Sequence, residues 1–174
     1  MNTKARSGLF LLAAWAGLLI ASPAATIDEP DGGFSYDAPD QWQRIPNKHK
    51  KVKPRIMFDL LSSKDPRRMV IPAGYESAEL PAAISATEGI IRAQLKVSLN
   101  DGQSSRISTE SGVTVTRILY STGDAQTPRV VLFAFGLPKG GSACFVGLVA
   151  SADADAALAD YDAIFATLRF KGSE

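Results

Sequence analysis

The residues that could carry out chemistry are few in this sequence, and they do not form a catalytic set. The single cysteine, Cys144, lies in an apolar stretch, whereas a nucleophilic thiolate needs an electropositive and accessible setting. The single histidine, His49, lies between Lys48 and Lys50, whose charges would repel a metal cation. We therefore interpret Cys144 as a buried, unreactive thiol and His49 as a solvated loop residue.

Two further patterns resemble known sites without meeting their requirements. Gly140 and Gly141 precede Ser142, but a phosphate-binding loop needs the spacing G-x-x-x-x-G-K-[ST] at the start of a helix. We interpret these residues as a hairpin turn. Carboxylates for hydrolysis or metal binding must converge in a cleft, whereas the acidic residues near the C-terminus are spread around one predicted helix. These residues are Asp153, Asp155, Asp160 and Asp162.

The cysteine and histidine counts exclude a disulfide within the chain, a Cys-x-x-Cys knuckle and a multi-histidine metal site. The sequence therefore predicts a non-enzymatic protein with no catalytic residues, no bound metal and no cofactor. A hydrolase without a recognisable catalytic motif stays open as an alternative.

The distribution of charge is the one feature that indicates a binding function. Residues 44–68 contain nine basic residues and two acidic ones, whereas residues 25–43 contain five acidic residues and no basic one. A basic segment of this kind can attract an anionic surface or ligand, or it can be a solvated loop whose charge the acidic flank offsets. We expect an envelope partner or an anionic surface and no nucleic acid, and the oligomeric state stays open. The predicted anion-binding residues are Lys48, Lys50, Lys51, Lys53 and Arg55.

The first 24 residues are typical of a secretory signal peptide. Lys4 and Arg6 precede an apolar core at residues 9–20, and small residues follow at 22–25. A membrane anchor is the alternative, but a spanning helix needs about 20 apolar residues. We therefore predict a signal peptide at residues 1–24, a flexible acidic tail at 25–32 and a single domain at 33–171. The mature protein is expected in the periplasm or secreted, with no membrane span after cleavage.

Two apolar runs, at residues 130–135 and 143–150, organise the rest of the predicted fold. They flank a turn rich in Gly and Pro, which predicts an antiparallel β-hairpin. Neither run alternates apolar with polar residues, so we expect both faces of the hairpin to be covered.

The remaining pattern predicts helices at residues 80–95 and 153–167, where apolar side chains recur at helical spacing. Pro72 and Gly74 interrupt an apolar run, which favours an edge strand. We predict an α+β fold in which an antiparallel sheet of about five to seven strands has helices on its faces. Further predicted elements are a polar loop at 43–54, a strand at 55–61, a turn at 100–102 and a second hairpin formed by 103–109 and 113–122.

The two ends of the predicted domain carry a further pattern. Near its start, Phe34 and Tyr36 form a short aromatic strand, followed by a turn at Pro39 and by Trp42. Near its end, a helix passes into Thr167, Leu168, Arg169 and Phe170. In these features the sequence resembles the PsbP-like family, which includes extrinsic photosystem II proteins, bacterial DcrB-like envelope proteins and a eukaryotic Ran-binding import factor.

The resemblance spans residues 33–170 and implies a three-layer α/β/α sandwich with an antiparallel sheet between helices. The family shares no activity, so the resemblance implies a fold and no functional residue. It also suggests, as an alternative function, an accessory protein of a photosynthetic complex.

We predict that export removes residues 1–24, because the positive start, short apolar core and small-residue site together fit signal-peptidase cleavage after Ala24. Mass spectrometry of the exported protein should find a mature N-terminus within about two residues of that position. Retention of residues 1–20 would instead indicate a membrane anchor.

Overall fold

The computed structural model of the protein describes residues 25–46, 51–52, 55–56, 58–63, 68–125, 129–150 and 154–172. The predicted signal peptide lies outside these residues. Within them the chain forms two helices, α1 (Leu80–Leu95) and α2 (Ala154–Ala166). The strands are β1 (Ala25–Glu29), β2 (Phe34–Ala38), β3 (Trp42–Ile45), β4 (Lys51–Val52), β5 (Arg55–Ile56), β6 (Leu60–Ser63), β7 (Met69–Tyr75), β8 (Asn100–Ser108), β9 (Thr114–Ser121), β10 (Arg129–Gly136), β11 (Ser142–Val149) and β12 (Arg169–Phe170).

These strands form two antiparallel sheets in the described part of the chain. The larger sheet has the order β3-β6-β7-β11-β10-β9-β8, with β5 also paired to β7 and β4 paired to β5. The smaller sheet has the order β1-β2-β12. The fold is therefore of the mixed α/β kind that the sequence predicts, but its strands are more numerous than expected and lie in two sheets.

The hairpin of β10 and β11 lies at the centre of the larger sheet, as predicted. Phe133 lies opposite Phe145 in the register, and β7 and β9 flank the hairpin. Successive strand residues point to opposite faces, and residues 130–135 have no exposed surface on either face. The prediction that both faces are covered is confirmed.

Helix α1 covers one face of this hairpin. Its bounds agree with the prediction, and Pro81 occupies its first turn, where the missing N–H costs no hydrogen bond. Ala83 and Ile91 are buried, and they belong to one apolar cluster with Leu132 and Cys144 of the hairpin. Neither α1 nor any other helix of the described residues is long and apolar enough to span a membrane.

Helix α2 and the smaller sheet cover the opposite face, where aromatic rings dominate. Phe133 stacks on Phe165 of α2 with ring centroids 4.3 Å apart. Phe34 of β2 packs edge-on against Phe135 at 5.2 Å. Such pairs add to the burial of apolar surface. Phe34 and Tyr36, which alternate with polar residues in the sequence, are both fully buried.

The segment predicted as a flexible acidic tail is in fact strand β1. It pairs along its whole length with β2, and Ile27 lies opposite Tyr36. Ile27 and Glu29 are 6% and 4% exposed. These two alternate residues of β1 therefore face the interior. The pattern was missed because one of the two buried residues is a carboxylate, a type that is almost never fully buried unless paired.

Two further predictions were wrong because turn-forming residues lie inside strands. Pro72 does not mark an edge strand, since β7 lies between β11 and the pair β5 and β6. Strand β6 pairs with Met69–Val70 and β5 with Gly74–Tyr75, so Pro72 lies between the two. The predicted turn at residues 100–102 is an irregularity in β8, where Asp101 takes a φ of 52° and the register with β9 shifts.

An ion pair joins β12 to β2, the central strand of the smaller sheet. Arg169 of β12 donates two hydrogen bonds to the carboxylate of Asp37 on β2, at 2.8 and 3.0 Å. Thr26 of β1 donates to the same carboxylate at 2.7 Å. The hydrogen bond from Arg169 is the main cause that lowers the pKa of Asp37, and Thr26 acts in the same direction.

We predict that Asp37→Asn lowers stability at neutral pH and reduces its loss in acid. A carboxylate whose pKa is lowered in the folded state contributes stability above its ordinary pKa of 3.8, and this contribution is lost as the pH falls through the lowered value. Urea midpoints of the parent and the variant should therefore differ at pH 7 and converge towards pH 2. The exposed Asp40 provides the matched control. The urea midpoint of Asp40→Asn should fall between pH 7 and pH 2 by as much as the midpoint of the parent does.

Candidate functional site

The basic segment is only partly within the described residues. Lys51 belongs to β4 and Arg55 to β5, whereas Lys48, Lys50 and Lys53 lie outside the description, as does His49. The expectation of an irregular loop is therefore wrong for residues 51–52, which pair with β5. Strand β5 pairs in turn with the end of β7, which attaches this basic hairpin to the larger sheet.

Carboxylates hold the arginines at the two limits of the basic segment. Arg44 donates to Asp59 at 2.5 Å and lies 3.8 Å from Glu29. Arg68 donates to Asp160 of α2 at 2.6 Å. One of these partners, Glu29, comes from the acidic flank, so that flank does fold back against the basic segment at Arg44. The other basic residues of the segment lie between these two arginines in the sequence.

Glu29, Asp59 and Arg44 form a polar cluster beside the aromatic core. Both carboxylic residues are 4% exposed. A buried carboxylate is costly without a partner, and the positive guanidinium of Arg44 compensates part of the charge of these two. Tyr36 lies close by, and burial, followed by the charge of Glu29, raises the pKa of its hydroxyl far above its usual range. Tyr36 therefore stays neutral at physiological pH and cannot act as a base.

The hydroxyl of Tyr36 and the indole N–H of Trp42 are buried without a hydrogen-bond partner among the described residues. Trp42 belongs to β3 and packs on Tyr161 of α2, with ring centroids 5.5 Å apart. Trp42 is buried and therefore belongs to the core. The polar cluster joins Glu29 of β1 to Arg44 of β3 and to Asp59, which precedes β6, so its described contacts connect the smaller sheet to the larger one.

Cys144 is fully buried in β11, as predicted. Burial raises the pKa of its thiol to about 11, and a hydrogen bond with Thr87 only partly opposes this effect. Thiolate nucleophiles need the opposite shift, so the geometry around Cys144 disfavours nucleophilic chemistry.

The acidic residues of α2 are separated by their ion pairs. Asp160 binds Arg68, Asp162 accepts from Arg117 at 2.7 Å, and Asp155 lies 3.6 Å from Arg129. Three different strands or strand ends supply these partners, so the carboxylates do not converge. Asp153 lies outside the described residues. Across the described parts of the chain, no group of three or more His, Cys, Asp or Glu residues is placed to hold a metal ion.

Gly140 and Gly141 form the turn between β10 and β11, as predicted. Both have positive φ values, 91° and 84°. A Cβ on Gly141 would lie 2.2 Å from the backbone oxygen of Tyr75, so only glycine fits there. These glycines serve the close approach of two strands and do not begin a helix.

Comparisons with known proteins identify the fold alone. No protein-family model matches the sequence, and no curated protein sequence matches it significantly. Among solved structures, the chain is similar to the solution structure of cyanobacterial PsbP (CyanoP) from Synechocystis sp. PCC 6803, with a TM-score of 0.62 and 12% sequence identity. The match covers 91% of this chain and 98% of that chain. The chain therefore has a PsbP-like fold, as the residues at the ends of the domain predict.

We predict that Cys144 resists a thiol reagent in the native protein and reacts at least about a hundredfold faster in denaturing urea, because its burial makes labelling depend on opening of the core. A pKa of about 11, against an ordinary value of 9.0, also means that its contribution to stability is complete below pH 9 and is lost as the pH rises towards 11. Cys144→Ala should therefore lose less stability than the parent over this range. Rapid native labelling would place the thiol at an accessible site.

Proposed function

We propose that this chain is an exported, non-catalytic accessory protein that binds a partner at the cell envelope through its basic segment. The PsbP-like fold supports the proposal, since the similar structure is that of a PsbP protein. We further propose that the fold is a three-layer α/β/α sandwich, in which the larger sheet has helices on both sides. The exported location rests on the composition of residues 1–24.

The distribution of charge carries this proposal. Once Arg44 and Arg68 are assigned to their carboxylate partners, residues 45–67 contain seven basic residues. Only Asp65 remains as an acidic residue in this stretch besides Asp59, which binds Arg44. The positive charge is thus concentrated between two anchored arginines.

Two residues of the basic segment have a backbone that is paired to the larger sheet. Lys51 lies opposite Ile56 and Val52 opposite Arg55, and Arg55 is paired to Tyr75 at the end of β7. This attachment supports a binding surface that includes Lys51 and Arg55. Binding of this kind is electrostatic, so it should be strong at low salt and weaken as charges become screened beyond about 8 Å at physiological ionic strength.

Two alternatives lead to different observations. An accessory role in a photosynthetic complex is favoured by the likeness to cyanobacterial PsbP, and it requires a photosynthetic source and co-purification with photosynthetic membranes. A hydrolase would require an accessible nucleophile, and burial with a raised pKa makes Cys144 a poor candidate.

The proposal predicts that replacing Lys50, Lys51 and Lys53 by Gln reduces binding to envelope material at low salt. Stability should change little, because the proposal requires these side chains to face the partner, and surface substitutions usually fall within about ±0.5 kcal/mol. The measurement is a pull-down of the mature protein from envelope extract at low and high salt, with thermal unfolding to confirm folding.

A variant with the same loss of charge elsewhere separates local binding from net charge. Lys96, Arg106 and Lys139 are exposed residues of other elements, and their replacement by Gln should preserve capture of the same partner. If the Lys50, Lys51 and Lys53 variant captures the partner as well as the parent at equal salt, the basic segment is only a solvated hairpin and the proposed role fails.

A further inference from the structure

A cavity of about 190 Å³ opens between the C-terminal half of α1 and the larger sheet. Its floor is formed by β7 and β11, and its wall by one side of α1. Its lining is almost entirely apolar, with Thr87 and Gln94 as the two polar residues. The lining residues are Ile71, Pro72, Ala73, Thr87, Ile90, Ile91, Gln94, Leu95, Val146 and Leu148.

The middle of β7 lies beside the cavity. Strands β5 and β6 pair with the two ends of β7, and Ile71, Pro72 and Ala73 lie between those pairs. The floor at this point carries the small side chain of Ala73. Ile71 is 36% exposed at the margin, an unusual position for so large an apolar residue in this chain.

The buried polar group of the cavity, the hydroxyl of Thr87, already has hydrogen-bond partners within the protein. The hydroxyl of Thr87 donates to the backbone carbonyl of Ala83 at 2.8 Å and lies 3.0 Å from the hydroxyl of Tyr75. A water molecule needs two to four polar partners to be held in a cavity, and Gln94 is exposed at the margin. The interior of the cavity therefore offers contact with apolar atoms and little hydrogen bonding.

We propose that this cavity is a binding site for a small, neutral, apolar molecule or group, about the size of a benzene ring or a short alkyl chain. The volume is comparable to the roughly 150 Å³ apolar cavity that holds benzene in another protein. An empty apolar void lacks dispersion contacts along its lining, and a fitting ligand restores them. A charged ligand would lose its hydration without gaining a counter-charge from these residues.

Benzene is the probe that tests this proposal on the mature protein. Titration followed by ¹H–¹⁵N correlation spectra should give saturable shifts confined to the amides of the lining residues. Thermal unfolding should shift upward with benzene concentration, because a ligand that binds only the folded state stabilises it. Absence of saturable shifts up to the solubility of benzene, or shifts scattered over the protein, would overturn the proposal.

Filling the cavity should abolish binding. Ala73→Leu replaces a methyl group on the floor with an isobutyl group, and we expect loss of the benzene shifts. Ala93→Leu is the matched control, because Ala93 lies exposed on α1 outside the lining, and it should bind benzene as the parent does. Unchanged binding by folded Ala73→Leu would contradict the site.

A second variant keeps the test decisive if Ala73→Leu does not fold. Ile90 is only half-buried at the margin, so Ile90→Trp can close the opening without entering the core, and it should also remove the benzene shifts. If the parent self-associates and benzene dissociates it, a side chain of a second copy is the occupant, and the assignment to a small molecule is wrong. Because the basic hairpin is not altered, capture of an envelope partner should be unaffected in each variant.

Discussion

The hairpin of β10 and β11 has no face that can remain in water, and the positions of both helices follow from this constraint. Its residues 130–135 are buried on both sides, and each exposed apolar side chain of this size would cost about 1.5–3 kcal/mol. One covering layer is α1, with its aliphatic side chains. The other is formed by α2 and the smaller sheet, whose aromatic rings surround Phe133, Phe135 and Phe145.

The elements with strong local signals could be predicted from the sequence. Helix α1 has Pro81 in its first turn and apolar residues at helical spacing, and its bounds agree with the structure. The central hairpin was predicted because uninterrupted apolar runs surround a glycine-rich turn. Cys144 was placed in the core for the same reason, since a small thiol in such a run shares the burial of its neighbours. Local patterns are sufficient where the residue's neighbours along the chain determine its environment.

The missed features depend on contacts between distant parts of the chain. Strand β1 has a buried carboxylate, and its approach to Arg44, a residue distant in the sequence, compensates part of the charge of Glu29. Pro72 is accommodated because two separate strands pair with the ends of β7. The cavity beside α1 is lined by residues of α1, β7 and β11, so no pattern within one element could indicate it. For the basic segment, the sequence supplies the count of charges, whereas the assignment of Arg44 and Arg68 to carboxylates required the structure.

The smaller sheet has a consequence for the order in which the chain can fold. Strand β2 lies between β1, its neighbour in sequence, and β12, and the hydrogen bond between Asp37 and Arg169 spans 132 residues. Contacts of such sequence separation form late, because a long loop must first close. A nascent or truncated chain that stops before Arg169 leaves one side of β2 open to other strands, a known route to aggregation. Pairing of β12 with β2 therefore closes an edge that would otherwise stay open to other strands.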